Sequence, residues 1–396
     1  TPATTNRTED LQLRATLEPV KNFKIDLNAS RTQTTARSVQ YMYVGNPTTQ
    51  SGSFTMTTLS LKSAFGGSGN ANNGYKSASF ERFCNSLEGF RQRVEAKYAG
   101  SIYPEGSALA GKTFDAANGG VNKYSADVMV PAFLAAYTNM GDGGLSIFPS
   151  LSHLLPNWTI KYSGLSRLAW FSDKFKSVNI NHAYKSVYAV GSYSSYSTFM
   201  EYMNGLGFIT DATSGSPIPN SMYNVSTVSI NEAFSPLLGV DVTLHNNMTI
   251  KAEYRTTRVL SLSMTSVQIN ESSSHDWVIG AGYTINNFNL FGGGAAKHRQ
   301  VKSRQKKEEN SSPKSSSLRN RQSGGVNNDL KLRLDLSLRK QASISRDIAT
   351  MTSSANSGNT AFKLSFSADY TLSRMLTMSF YYDRQTNTPL LASNSY

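Results

Sequence analysis

Residues 106–113 (GSALAGKT) fit the nucleotide-binding motif G-x-x-x-x-G-K-[ST]. In that motif the backbone amides of the loop cradle a phosphate, and the lysine, here Lys112, reaches its oxygens. The chemistry requires a buried strand before the loop and a helix N-terminus after it. Pro104 precedes the motif, and Gly119 and Gly120 follow it closely, which is typical of a polar loop. We therefore predict a polar loop, with a nucleotide site as the alternative.

Thiol and imidazole groups are too few and too scattered to predict a catalytic or metal centre. Cys84 is the only cysteine, so an intrachain disulfide and a Cys-based metal site are excluded. A catalytic thiol needs a neighbouring base, and the nearest histidine in the sequence, His153, is far away. None of the five histidines has metal-ligand spacing: His153, His182, His245, His275 and His298. The sequence thus predicts no catalytic residue, no metal and no cofactor.

The composition favours an all-β protein. Hydrophobic residues make up 39% and charged residues 16% of the 396 residues, and both values are low for a soluble enzyme. Ser, Thr, Asn, Gly, 20 Tyr and 19 Phe take their place, and these residues favour strands and loops. No stretch approaches the roughly 20 apolar residues of a membrane-spanning helix. A β-barrel remains compatible, because its strands show lipid an apolar residue only at every second position.

The net charge of +13 is unevenly distributed along the chain. Residues 297–321 contain nine Lys or Arg and two Glu, a local charge of 9 − 2 = +7. The rest of the chain is only mildly basic, so no nucleic acid is expected as a partner. We predict a basic, disordered loop over 292–327, which either acts as a solvated linker or docks on anionic lipid or an acidic protein.

Apolar and polar residues alternate most clearly between residues 328 and 396. Leu330, Leu332, Leu334, Leu336 and Leu338 are separated by charged or polar residues, so all five lie on one face of a strand. The next segment repeats the pattern. The residues predicted to face lipid are Leu330, Leu332, Leu334, Leu336, Phe362, Leu364 and Phe366. Those predicted to face a wet lumen are Lys331, Arg333, Asp335, Lys363 and Asp369.

About thirteen such strands predict either a membrane barrel or a soluble sandwich or solenoid. Strand length, mixed charge on the polar faces and aromatic residues near the ends of the runs favour the barrel. An open sheet cannot cross a membrane, and single-chain bacterial barrels normally have an even strand number. We therefore expect further strands before residue 1 and after residue 396. The predicted fold is an all-β, antiparallel transmembrane β-barrel segment, part of a very large barrel, with helical loop insertions.

The sequence predicts five segments along the chain. Residues 1–66 are predicted barrel strands, 67–155 a helix-containing loop or cap insertion, and 156–291 barrel strands with a long connection at 193–220. Residues 292–327 form the basic loop, and 328–396 are barrel strands that lack the closing strand.

Within the insertion, Phe80, Phe83, Leu87, Phe90 and Val94 recur at helical spacing and predict an amphipathic helix over 80–98, with Cys84 on its wet side or flank. A second helix is predicted over 127–139, with Pro131 in its first turn.

The predicted helix over 80–98 has two interpretations. It either caps or plugs the lumen or faces a partner, or it merely packs on the barrel rim.

Four long segments of the chain carry a family resemblance. The most characteristic is SLSHLLPNWTIKYSGLSRLAWFSDKFKSVNINHAYKSVYAVGSYSSY, residues 150–196. The others are DVMVPAFLAAYT (127–138), INEAFSPLLGVDVTLHNNMTIKAEYRTTRVLSLS (230–263) and RTEDLQLRATLEPVKNFKIDLNASRT (7–32). In these segments the chain resembles the SprA/Sov family of outer-membrane translocons of type IX secretion. The basic run at 297–321 has no counterpart that we can match.

The resemblance implies a protein-conducting channel in the outer membrane of a Gram-negative bacterium. Such a channel exports folded cargo with a C-terminal signal domain and supports gliding motility. The implied partners are outer-membrane lipid, the cargo, a smaller outer-membrane shuttle barrel and a periplasmic plug protein. No catalytic residue is implied. The alternatives are another outer-membrane transporter or receptor barrel, and a secreted β-rich surface adhesin.

Overall fold

The computed structural model describes residues 2–40, 48–67, 69–141, 143–203, 206–211, 213–286, 288, 329–373 and 376–390. The predicted basic loop, 292–327, lies outside these residues. The strands are β1 (Pro2–Val20), β2 (Phe23–Gln40), β3 (Thr49–Thr57), β4 (Asn157–Tyr162), β5 (Phe175–Ser195), β6 (Met200–Met203), β7 (Leu206–Thr210), β8 (Pro217–Ser221), β9 (Tyr223–Val225), β10 (Thr227–Leu244), β11 (Thr249–Ser263), β12 (Gln268–Ile285), β13 (Leu330–Asp347), β14 (Thr352–Ser373) and β15 (Leu376–Pro389). The α-helices are α1 (Leu61–Ala64), α2 (Ala78–Ala96), α3 (Ala126–Tyr137) and α4 (Ala169–Ser172).

One twelve-stranded antiparallel sheet dominates the fold. Its order is β1-β2-β3-β5-β10-β11-β12-β13-β14-β15, while β4 pairs with β2 and β5, and β9 pairs with β5. Strands account for 58% and helices for 16% of the structure, which confirms the all-β, antiparallel class. β5 and β14 reach 21 and 22 residues, several times the average strand of about 5–6. Among the described residues, β1 and β15 are the two edges of this sheet.

A single strand position between β2 and β5 is shared by β3 and β4. β3 pairs with one half of β2 and β4 with the other, and both also pair with β5. Residues 58–156, which we call the insertion, therefore leave and re-enter the sheet in the middle of a strand. Side chains replace the missing ladder bonds: Thr57 Oγ1 accepts from Ser30 N at 3.1 Å, and Asn157 Oδ1 accepts from Ser186 N at 2.8 Å.

The insertion has its own apolar core between α2, α3 and the sheet. The predicted helix residues Phe80, Phe83, Leu87, Phe90 and Val94 are all buried on α2. Phe83 meets Phe133 of α3 edge to face, with ring centroids 6.3 Å apart. Core side chains of the sheet, such as Ile230 of β10 and Leu260 of β11, belong to the same cluster. Burying side chains of this size stabilises the fold by about 1.5–3 kcal/mol each.

Three details of the insertion and its surroundings differ from the sequence prediction. Cys84 is buried, not on a wet face, because it follows Phe80 by four residues and precedes Leu87 by three on the buried stripe. Pro131 lies inside α3, because that helix begins at Ala126. The predicted connection at 193–220 contains β6 and β7 and begins within β5, and β6, β7 and β8 form a separate three-stranded sheet.

We predict that Gly52→Ala destabilises the junction of β2, β3 and β5. A Cβ atom at residue 52 would lie 1.9 Å from the backbone oxygen of Thr34 and 2.6 Å from the hydroxyl of Tyr193. Overpacking of this kind typically costs about 1–3 kcal/mol. Thermal unfolding followed by circular dichroism should show a lower midpoint for Gly52→Ala. Gly191→Ala is the matched control, because a Cβ there meets open space, and equal midpoints for the two variants would contradict the prediction.

Candidate functional site

Register pairing defines two faces of the large sheet. Residues directly opposite in neighbouring strands point to the same side, and successive residues point to opposite sides. Leu334 of β13 lies opposite Ala281 of β12 and Phe366 of β14. Arg333, one residue earlier, points to the other side. We call the side of Leu334 the apolar face and the side of Arg333 the polar face.

A continuous row of apolar side chains, the apolar band, crosses ten strands on the apolar face. It consists of Leu11, Leu13 and Leu17 (β1); Phe23, Ile25 and Leu27 (β2); Trp158, Ile160 and Tyr162 (β4); Val178 and Ile180 (β5); Leu238, Val240, Val242 and Leu244 (β10); Ile250 and Ala252 (β11); Trp277, Ile279, Ala281, Tyr283 and Ile285 (β12); Leu330, Leu332, Leu334, Leu336 and Leu338 (β13); Phe362, Leu364, Phe366 and Ala368 (β14); and Leu376, Met378, Phe380 and Tyr382 (β15). All seven residues predicted to face lipid belong to it.

Much of the apolar band is open to the surroundings. Leu238, Trp277 and Ile279, all on interior strands, remain 54%, 53% and 46% exposed. In the part of the chain that the structure describes, no second sheet packs over the band, and the three-stranded sheet joins the core of the insertion through Phe208. A soluble sandwich would need such a second sheet. An apolar surface of this extent normally contacts lipid or another protein.

Aromatic residues lie along both margins of the apolar band. At the margin nearest the insertion, Trp158 stacks on Tyr184 at a centroid distance of 4.5 Å, and Tyr254 stacks on Trp277 at 4.4 Å. At the opposite margin, Phe23 meets Tyr162 at 5.9 Å. Trp170 in α4 lies beyond that second margin, on the connection between β4 and β5. The three tryptophans of the chain therefore all mark a boundary of the band.

The polar face carries charges of both signs around an open groove. Lys331, Arg333, Asp335 and Asp369 line it together with Glu253, and its volume is about 680 Å³. Arg333 Nε donates to Asp335 Oδ2 at 2.6 Å, and Lys251 Nζ lies 2.7 Å from Glu253 Oε1. Gly280 and Gly282 of β12 form part of its floor. Lys363, the fifth residue predicted to face a lumen, lies opposite Ser337 on this face.

Two buried ion pairs lie on the apolar face between the band and the core of the insertion. Arg258 Nη2 donates to Glu232 Oε2 at 2.7 Å, and Arg346 Nη2 donates to Glu271 Oε2 at 2.7 Å. The side chain of Arg346 is fully buried. Charges buried so deeply are tolerated only when they are paired and hydrogen-bonded.

These ion pairs fasten the insertion to the sheet. Arg258 also donates to the Ser63 backbone oxygen at 2.7 Å, and Ser60 Oγ donates to Glu232 Oε1 at 2.7 Å. Arg346 Nη1 donates to the Tyr75 backbone oxygen, and its guanidinium lies 5.7 Å from the centroid of Phe80. Strands β10 to β13 each contribute one charged residue, so the attachment spans four strands.

The insertion lies on the apolar face, at one end of the strands. Its α2 residue Phe80 contacts Arg346, and its Phe148 contacts Phe54, both on that face. A helix that capped a lumen lined by the polar face would lie on the other side of the sheet. α2 therefore packs on the apolar face of the sheet, and its role as a cap or rim helix stays a prediction.

The remaining candidate motifs form no reactive centre in the described residues. Residues 106–113 form turns rather than a strand–loop–helix unit, and Tyr103 N donates to Lys112 O at 2.9 Å. Burial raises the pKa of the Cys84 thiol to about 11, so the thiolate is scarce at neutral pH. No group of His, Cys, Asp and Glu in the described ranges could hold a metal, and His298 lies outside those ranges. None of the described helices is long and apolar enough to span a membrane.

A scan against protein-family models found no match, and neither did a search of curated proteins.

Sequence reasoning missed the four charges of these two ion pairs, although the pattern contains a signal for them. Each occupies a position where the alternation demands an apolar residue: Glu232 follows Ile230 by two residues, and Arg346 follows Ile344 by two. A charged residue at such a position predicts either that the face is exposed to water there or that the charge is buried with a partner of opposite sign. The partners lie on neighbouring strands, so the pairing becomes visible only with the register.

We predict that Arg346→Ala loosens the insertion from the sheet, because it leaves the Glu271 carboxylate buried without its guanidinium partner. Removing one partner of a buried pair costs about 3–5 kcal/mol. Limited proteolysis should cleave residues 58–156 of the variant faster than those of the parent protein. Arg333→Ala is the control, because it removes an exposed ion pair and should leave the cleavage rate unchanged. Equal cleavage of Arg346→Ala and the parent would contradict the structural role.

Proposed function

We propose that this chain forms part of the wall of an outer-membrane β-barrel that conducts proteins in type IX secretion. The observation that carries the proposal is the uncovered apolar band with aromatic margins, backed by a charged face on the same strands. Lipid is the partner that would cover such a band along ten strands, since barrel strands present an apolar outside and a polar inside.

The dimensions of the band fit a bilayer. On β13 it runs from Leu330 to Leu338 and on β12 from Trp277 to Ile285, nine residues in each case. A tilted membrane-crossing strand needs about 9–11 residues. Tryptophan and tyrosine are enriched where hydrocarbon meets the headgroups, which is where the two margins would lie. The strand break between β3 and β4 lies just outside this zone, where water and side chains can satisfy the freed backbone groups.

The polar face suits the passage of folded proteins. Its lysine, arginine and aspartate side chains carry charges of both signs, so no single type of cargo surface would be held strongly. Under this proposal Lys331, Arg333, Asp335, Lys363 and Asp369 line the hydrated lumen. The partners would be outer-membrane lipid, cargo with a C-terminal signal domain, a smaller shuttle barrel and a periplasmic plug protein. Delivery of surface adhesins by the same route would support gliding motility.

Type IX secretion enters the proposal through the resemblance of residues 150–196 and three other segments to the SprA/Sov family. Another outer-membrane transporter or receptor barrel would share the apolar band but would not export cargo. A secreted β-rich adhesin would need its own protein layer over the band, and would stay soluble without detergent. The two experiments below separate these functions.

The first experiment tests the membrane assignment with spin labels at adjacent residues of β13. Cysteine replaces Leu334 or Asp335 in a Cys84→Ser background, and the labelled protein is reconstituted in lipid. We expect the label at 334 to be accessible to oxygen, which concentrates in lipid, and the label at 335 to a water-soluble relaxing agent. A label at 334 that is buried between protein layers in a soluble, detergent-free particle would overturn the membrane assignment.

The second experiment tests the conduit with cargo arrested in transit. A photocrosslinking amino acid replaces Asp335 or Lys363 on the polar face, and in matched control variants it replaces Leu334 or Leu364. Cargo carrying the C-terminal signal domain should crosslink to the two polar-face positions and not to the controls. If membrane insertion is intact and no cargo crosslinks, the protein is a barrel of another class.

A further inference from the structure

A groove with both polar and apolar lining runs along the apolar face between the insertion and the margin of the apolar band. Two neighbouring cavities of about 220 and 410 Å³ form it, and both are lined by Ser273 and His275. The segment of the insertion after α1 supplies the opposite wall with Phe65, Asn70 and Asn72.

The groove lies at the level where the apolar band ends. On the paired strands β12 and β13, Trp277 lies opposite Leu338, His275 opposite Lys340 and Ser273 opposite Ala342. Two residues beyond Leu338 on the same face of β13, the apolar side chains of the band therefore give way to the positive charge of Lys340. Phe65 is 68% exposed at this level, and its ring centroid lies 5.5 Å from that of Phe234.

Lys340 is the cation that the groove offers to a ligand. Arg258 and Arg346 are already neutralised by Glu232 and Glu271. None of the described acidic side chains forms an ion pair with Lys340. Asn70, Asn72, Ser273 and His275 line the same cavity, and their amide, hydroxyl and imidazole groups can donate hydrogen bonds to phosphate oxygens. The wall below is apolar, so a ligand here would have an anionic end and an apolar end.

We propose that this groove binds the phosphate headgroup of an anionic membrane lipid, whose acyl chains run down the apolar band over Leu338 and Trp277. The inference rests on the proposed membrane location and adds a lipid class and a site to it. A bound lipid would bridge the insertion and the strands, and would fix the depth of the insertion relative to the bilayer. A basic side chain near a bilayer surface contributes about 1 kcal/mol of attraction to anionic lipid, which corresponds to a roughly fivefold preference.

The test uses photoactivatable lipids in nanodiscs that contain the whole protein. A phosphatidylglycerol with its diazirine near the headgroup is compared with the matching phosphatidylcholine, and the crosslinked peptides are mapped by mass spectrometry. Phosphatidylglycerol should label residues 65–75 and 338–342 preferentially. Lys340→Glu should reduce this labelling by more than about fivefold, since it removes a positive charge and adds a negative one, and Lys340→Arg should retain it. Lys331→Glu, on the polar face of the same strand, should have no effect.

The outcomes separate this site from the proposed function. If neither lipid labels any residue of the apolar band, the membrane assignment itself fails. If both lipids label the band and the groove shows no preference that depends on residue 340, only the lipid site is overturned. Displacement of the label by inorganic phosphate would identify a soluble-anion site and would also overturn the lipid assignment. Persistence of the label in excess phosphate supports the lipid.

Discussion

The two-residue period of the strand side chains is the constraint on which the rest of the structure depends. Each residue of β13 can face only one side, so the choice of leucine at 334 and arginine at 333 assigns each a surface. Register pairing extends this choice across neighbouring strands, and a slip by one residue would exchange the faces of an entire strand. Ten strands in a common register pattern therefore produce one apolar and one charged surface.

The buried ion pairs show how the same face can serve two environments. Beyond the aromatic margin the apolar face is covered by the insertion, whose core packs on it. An apolar contact alone would let the insertion settle at several positions along the face. The pairs Glu232–Arg258 and Glu271–Arg346 require specific partners, because a misplaced insertion would leave a buried charge unpaired. The ion pairs thereby fix the position of the insertion on the sheet. That position lies next to the groove that Lys340 lines.

Features encoded by local alternation could be predicted from the sequence, and features encoded by strand pairing could not. The alternation from Leu330 to Leu338 gives the strand and its two faces directly. The helical spacing of Phe80, Phe83 and Leu87 likewise gives α2, within two residues at each end. The shared position of β3 and β4 has no local signature, because a strand interrupted by 99 residues, 58 to 156, looks like two short strands. The burial of Glu271 and Arg346 depends on a pairing across 75 residues, which a single sequence does not reveal.

The location of the insertion limits how the two faces can be used. An insertion on the polar face would cover the groove lined by Lys331, Arg333 and Asp335. Because the insertion emerges on the apolar face, outside the margin marked by Trp158 and Trp277, the polar face of the strands stays open beside it. The insertion is held instead on the apolar face, where the pairs Glu232–Arg258 and Glu271–Arg346 attach it to four strands. Under the proposed function, this arrangement would leave the folded insertion outside the conduit, attached at the membrane surface.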